Sequence, residues 1–317
     1  MGHTNINSVK HLKSKTKTIV TGLAASISAA VVVLAFGLAP VLASSSVIYN
    51  NIPSPTPGNV VSWAFQSTQT SEFGGQVQFA GTNRYNPVVT VLMSSWGCQT
   101  GGWSTADCVT APGSTFSQPI TLNIYNVNVN NSPGTLVATL TQTFNIAYRP
   151  STDSLNCTGG RWYDAINSTC YNGLAVPISF DFTGQNVTLP NKVIISAAYN
   201  TSGFGALPYG YATACAATTA GCGYDSLNVG TNPAPSVGSA LPSINDAYLN
   251  SITAGNYCAP ELGTGTFRLD AGCWTGYLPA FKVSASPIKD QCKNDGWKQF
   301  NNPSFKNQGQ CINWIKG

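Results

Sequence analysis

The sequence predicts an all-β fold: an antiparallel β-sandwich of jelly-roll-like type with disulfide-stapled loops, plus a small C-terminal two-helix disulfide hairpin. Three observations predict it. Short runs alternate apolar and polar residues between Gly-, Asn- and Ser-rich turns. All ten cysteines fall into five sequence-local couples. Charged residues make up only 8% of the chain, so Asn, Ser, Thr and Gly supply the polar surface.

The first 18 residues are polar and basic, with Lys10, Lys13, Lys15 and Lys17. An apolar stretch follows from Ile19 to Leu42 and ends in Val41-Leu42-Ala43, with small residues at the −3 and −1 positions of a cleavage site. The reading is a signal peptide over 1–43. The alternative is an uncleaved signal anchor, because the stretch is long enough to span a bilayer. Both place the remainder outside the cytoplasm, secreted or at the cell surface, and membrane contact is expected only through this segment if it stays uncleaved.

Beyond Ala43 the apolar runs read as strands at Val60–Phe65, Gln76–Phe79, Val88–Ser94, Ile120–Val127, Leu136–Ile146, Val176–Phe182, Lys192–Tyr199, Ser226–Val229 and Phe281–Ser284. In the fourth, Ile120, Leu122 and Ile124 fall on one face and Thr121, Asn123 and Tyr125 on the other. Asn131-Ser132-Pro133-Gly134 supplies a turn into Leu136–Ile146, which makes a hairpin with one apolar face. These strands form a domain over 44–285.

In an exported chain an even cysteine count implies a disulfide framework. Local pairing would join Cys98 to Cys108, Cys157 to Cys170, Cys215 to Cys222, Cys258 to Cys273 and Cys292 to Cys311, stapling long loops. A zinc site is disfavoured, since no couple is closer than Cys215 and Cys222. No metal and no cofactor are expected.

Residues 286–317 form a basic C-terminal module. Asp290 would cap a short helix through Phe300, Ser304 would cap a second through Ile315, and Cys292–Cys311 would tie them. Lys289, Lys293, Lys298, Lys306 and Lys316 would face anionic polymer or solvent. The segments Gln291-Cys292-Lys293-Asn294-Asp295-Gly296-Trp297-Lys298 and Phe305-Lys306-Asn307-Gln308-Gly309-Gln310-Cys311 resemble a C-terminal motif of many exported bacterial proteins, approximately CKxGGW…FKNQGxC. The match departs at Asp295, covers about a tenth of the chain, and implies no assigned activity. The body is similar to secreted β-sandwich proteins of actinobacterial type through Ala198–Gly205 and Tyr224–Gly230, and that resemblance implies a surface location rather than a reaction.

Composition narrows the chemistry. The only histidines, His3 and His11, precede the cleavage site. The exported chain therefore lacks the imidazole base of Ser-His-Asp and Cys-His machinery. From Ser44 to Ala285 six bases face nine acids, so no basic patch invites nucleic acid. Carboxylate chemistry stays open. The candidate acids are Glu72, Asp164, Asp181, Asp225, Asp246, Glu261 and Asp270, with Asp164 and Asp181 equally readable as turn closers.

Trp96, Trp103, Trp162, Tyr163, Tyr171 and Trp274 lie in or beside the cysteine-rich loops. Aromatic faces beside polar groups suit stacking on sugar rings, although the same residues would also serve to anchor the loops. The expected ligand-binding residues are Trp96, Trp103, Trp162, Tyr163, Asp164 and Trp274. The expected function is a non-catalytic binding or structural module for an extracellular or cell-wall polymer such as glycan. The alternatives are a carboxylate-dependent glycoside hydrolase or polysaccharide lyase, and a self-associating coat or adhesion protein.

Overall fold

The computed structural model describes residues 45–316 except 67, 69, 104, 201–226, 242–245, 252–265, 271, 274, 275, 277 and 301–303. The predicted signal segment lies outside the described residues, as do Cys215, Cys222, Cys258, Asp225, Glu261 and Trp274.

The strands are β1 (Ser46–Asn50), β2 (Ser62–Trp63), β3 (Thr70–Gln78), β4 (Tyr85–Ser95), β5 (Thr115–Val127), β6 (Pro133–Ala147), β7 (Trp162–Asp164) and β8 (Thr169–Tyr171). They continue with β9 (Leu174–Asp181), β10 (Lys192–Ala198), β11 (Leu227–Gly230), β12 (Ser239–Leu241), β13 (Ala247–Ser251), β14 (Arg268–Asp270) and β15 (Phe281–Ser286). Each strand read from the sequence corresponds to one of these. The strands left unread, β1, β7, β8, β12, β13 and β14, have five residues or fewer, too few for a two-residue period to stand out.

The described strands form two antiparallel sheets and a separate β7–β8 hairpin. One sheet runs β1-β15-β4-β11-β2, with β9 on the other side of β4. The second runs β14-β13-β3-β10-β5-β6, with β12 also on β3. Among the described strands the chain changes sheet at β2–β3, β3–β4, β4–β5, β6–β9, β9–β10, β10–β11, β11–β12 and β14–β15. Its inward residues meet in one core. Val89, Val91, Met93, Ile178, Phe180, Phe281 and Val283 come from the first sheet. Phe73, Val77, Ile120, Leu122, Ile124, Ile146, Val193 and Ile195 come from the second. Full burial of each such side chain is worth roughly 1.5–3 kcal/mol. At one margin Phe144 of β6 meets Phe180 of β9 edge-on at 5.0 Å.

The β5–β6 hairpin follows the predicted alternation, with Ile120, Leu122 and Ile124 fully buried. Its turn sits earlier than expected, at Asn128–Ser132. The Asn131 amide bonds the Asn128 carbonyl at 2.9 Å, and Asn131 takes the left-handed conformation at φ 61°. Pro133 therefore opens the returning strand, a position where its missing N–H costs nothing.

Three of the five local disulfides join described residues: Cys98–Cys108, Cys157–Cys170 and Cys292–Cys311. Cys273 is also disulfide-bonded. The tail differs from the two-helix expectation. Its first half is two single 3-10 turns, Lys289–Cys292 and Gly296–Gln299, because Asn294 and Asp295 adopt left-handed conformations that break a helix. The helix α1 (Gln308–Lys316) starts at Asn307 rather than Ser304. Asn307 Oδ1 accepts from the Gln310 amide at 2.9 Å, and Gln310 reaches back to the Lys306 amide at 2.9 Å. Cys292 and Cys311 are fully buried, and the Phe300, Phe305 and Trp314 rings pack on one another.

Candidate binding site at the disulfide-loop end

At one end of the sandwich the β4–β5 and β6–β9 connections carry the Cys98–Cys108 and Cys157–Cys170 loops. Each loop is set by a carboxylate acting on its own backbone. In the first, Asp107 Oδ1 accepts from the Gly102 amide at 2.9 Å and from the Thr105 hydroxyl. In the second, two Asp-x-x-Asn turns repeat the same geometry. Asp153 Oδ1 accepts from the Leu155 and Asn156 amides, both at 3.0 Å, and Oδ2 from the Asn156 side chain at 2.9 Å. Asp164 Oδ1 accepts from the Ile166 and Asn167 amides at 3.0 and 3.4 Å, and Oδ2 from the Asn167 side chain at 2.7 Å.

These donors favour the ionised form. The Thr105 hydroxyl, the Asn156 amide and the Asn167 amide are the foremost causes that hold the Asp107, Asp153 and Asp164 carboxyls below the usual range. Each turn also displays a large aliphatic side chain at its third position, Leu155 95% and Ile166 93% exposed.

The two loops interlock. Arg149, fully buried after β6, bonds the Gly97 carbonyl through its amide at 2.9 Å and the Gly160 carbonyl through Nη2 at 2.6 Å. Burial pushes its pKa down to about 10, which leaves it charged at neutral pH. The Thr152 amide bonds the Cys108 carbonyl at 2.9 Å, and the Thr110 amide bonds Ser151 Oγ at 2.9 Å. A loop pair held at this many points is preorganised, so a ligand bound there would not have to order it.

The β7–β8 hairpin stands within this assembly and contributes to two clefts. One, of about 750 Å³, is walled by Tyr148, Asp153, Leu155, Trp162 and Tyr163 together with the hydroxyls of Thr110 and Ser151. The other, of about 350 Å³, is walled by Val60, Trp96, Arg161, Tyr171 and Asn172.

Five of the six residues expected to bind ligand are aromatics or acids of this assembly in defined positions, and the sixth, Trp274, lies outside the described residues. Trp162 is 7% exposed, donates from Nε1 to the Gly173 carbonyl at 2.7 Å and lies 5.4 Å from the Tyr171 ring. It walls the larger cleft chiefly as a packed anchor. Tyr163, half-buried, offers more of its ring there. Trp96 walls the smaller cleft, bonds Ser94 Oγ at 2.9 Å and meets Trp103 edge-on at 4.7 Å. Asp164 closes its turn and lines neither cleft. Trp103 packs behind Trp96 and also lines neither.

Sequence reasoning missed Tyr148, Asp153 and Arg161 as wall residues. The repeated Asp-x-x-Asn spacing at Asp153 and Asp164 was the signal that would have found the second turn. Among the described residues lining the two clefts, Asp153 is the one carboxylate, and both its oxygens are taken. Asp181 closes a turn by accepting from the Thr183 amide at 2.7 Å, and Asp270 pairs with Arg268 at 2.9 Å. The described walls therefore supply aromatic faces, hydroxyls, amides and one guanidinium, a set that stacks on and hydrogen-bonds a polar, uncharged ligand. Comparison of the chain with protein-family models, curated proteins and solved structures returned no match.

Proposed function

We propose that this is an exported, non-catalytic protein of the cell surface or its surroundings, whose disulfide-loop end binds an extracellular polymer of glycan type. The observation that carries the reading is the convergence of two disulfide loops and the β7–β8 hairpin on clefts walled by Trp96, Trp162, Tyr163 and Tyr171. Stacking of a sugar ring on an aromatic face, with hydroxyls met by Thr110, Ser151 and Asn172, needs no charge on the ligand. The tail offers a second attachment to anionic wall polymer through the exposed Lys289, Lys293, Lys298 and Lys306.

The test is retention of the exported chain on insoluble cell wall and on a panel of polysaccharides, with the supernatant assayed for released sugar. Retention without release, lost on Tyr163→Ala, supports the cleft. Retention lost only when the four tail lysines become Gln moves binding to the tail. Sugar release abolished by one carboxylate substitution replaces binding with hydrolysis.

A further inference from the structure

We propose that β6 is an interface through which two copies of this chain associate, strand beside strand and antiparallel, about a two-fold axis at Gln142. Among the described strands β6 ends its sheet and pairs only with β5. From Ala138 to Ala147 that pairing is regular, with no register shift. Over the same ten residues no backbone hydrogen bond joins the outer side of β6 to any described residue. A row of unmet N–H and C=O groups is a template for another strand.

The other described sheet margins carry the devices that discourage such pairing. β9 has Pro177 in its middle, and its Ala175 amide is already bonded to the Gly58 carbonyl at 2.9 Å. β1 is five residues long with a register shift at Val47/Tyr49. β2 has two residues, and β14 has three, with the Arg268–Asp270 ion pair on it. β6 spans fifteen residues with no charge, and its one proline, Pro133, is at its start. A long, unguarded edge in a chain that guards its others marks a place where pairing is used.

A second copy suits this edge better than an unlike strand. With no charge on β6, two copies do not repel. An axis at Gln142 sets Thr141 opposite Thr143 and Thr139 opposite Asn145 on the exposed face. Threonine pairing of this kind already holds the hairpin, where Thr121 and Thr141 hydroxyls lie 2.7 Å apart. On the inward face the axis sets Leu140 opposite Phe144, two side chains that pack on the core yet remain partly exposed.

The experiment is sedimentation equilibrium of the exported chain, residues 44–317, with hydrogen exchange followed at low and high protein concentration. The expected result is a concentration-dependent dimer whose amides from 138 to 147 exchange more slowly when concentrated. Thr141→Lys/Thr143→Lys, at two exposed positions, raises the dissociation constant about tenfold or more by placing like charges opposite each other. Ser179→Lys, on exposed β9 surface of the other sheet, leaves it unchanged. A monomer up to about 1 mM, the weakest association such a strand pair would need, overturns the proposal. So does a dimer whose β6 exchange is independent of concentration, or one indifferent to the lysines. Hydrogen exchange uses the unaltered chain, so a misfolded variant leaves the test intact.

Discussion

The carbonyl oxygen of Trp103 stands 2.5 Å from the point where a Cβ on Gly160 would lie, so the two disulfide loops touch backbone to backbone at Gly160. Gly160 also holds φ at 70°, a conformation that costs other residues roughly 1 kcal/mol or more. Gly160→Ala is expected to lose about 2–4 kcal/mol, since a backbone atom rather than a side-chain tip must move. Gly159→Ala is the control. Gly159 has φ 68° but open space around its missing Cβ, so only the conformational cost of about 1 kcal/mol applies. Thermal unfolding of the two variants separates strain from contact, and equal losses would show that the loops do not depend on this approach.

Trp162 and Tyr163 are neighbours in one three-residue strand with different duties. Trp162→Ala removes a nearly buried indole and its bond to Gly173, at an expected cost of about 3–5 kcal/mol. Tyr163→Ala removes a half-buried ring and should cost less than about 1 kcal/mol. Its effect is instead expected on polymer retention, weakened about tenfold, the scale of one lost stacking contact. Chemical denaturation read beside retention decides it. Unchanged retention with an unchanged midpoint for Tyr163→Ala would remove the larger cleft from the binding surface.

The loop carboxylates predict an acid dependence. Asp107, Asp153 and Asp164 each have a folded pKa lowered by local donors. Their contribution is therefore present above the unfolded aspartate value of about 3.9 and is lost as pH falls through the folded values. The denaturation midpoint should drop below about pH 4. Asp153→Ala/Asp164→Ala should start lower at neutral pH and show a shallower acid slope. An acid slope unaltered by the double substitution would place the titrating groups elsewhere.

The sandwich was legible because its strands are long enough to show period two. In β5, residues 120–124 alternate buried and half-buried as the sequence alternates Ile, Thr, Leu, Asn and Ile. β7 and β8 were not legible, because three residues carry no period. Their pairing is fixed by the disulfide and by Trp162 packing on Tyr171. In the tail, helical content around Asn294 and Asp295 was overestimated, because propensity ignores the left-handed turn those two residues tolerate so readily. At the candidate site, residue types indicated which side chains gather. Which of them face a cleft depended on the packing of one loop on the other, through Arg149 and Gly160, and no local pattern encodes that.

Tyr49 is fully buried in β1, and its hydroxyl has no hydrogen-bond partner. A buried hydroxyl without a partner costs about 1–3 kcal/mol, so Tyr49→Phe should be neutral or stabilising by about 1 kcal/mol at pH 7. Burial also raises the Tyr49 pKa well above the ordinary value of 10. The neutral phenol is then favoured by the fold, and the associated stability is complete below pH 10 and lost as the unfolded chain ionises above it. Tyr125 and Tyr248 have pKa values raised chiefly by burial in the same direction, and they will keep part of the alkaline loss in any variant. The advantage of Tyr49→Phe should therefore grow between pH 7 and about pH 10.5. Urea midpoints at the two pH values test this. A variant that is weaker at pH 7 and gains nothing in alkali would mean that the hydroxyl is satisfied in solution, by water reaching β1.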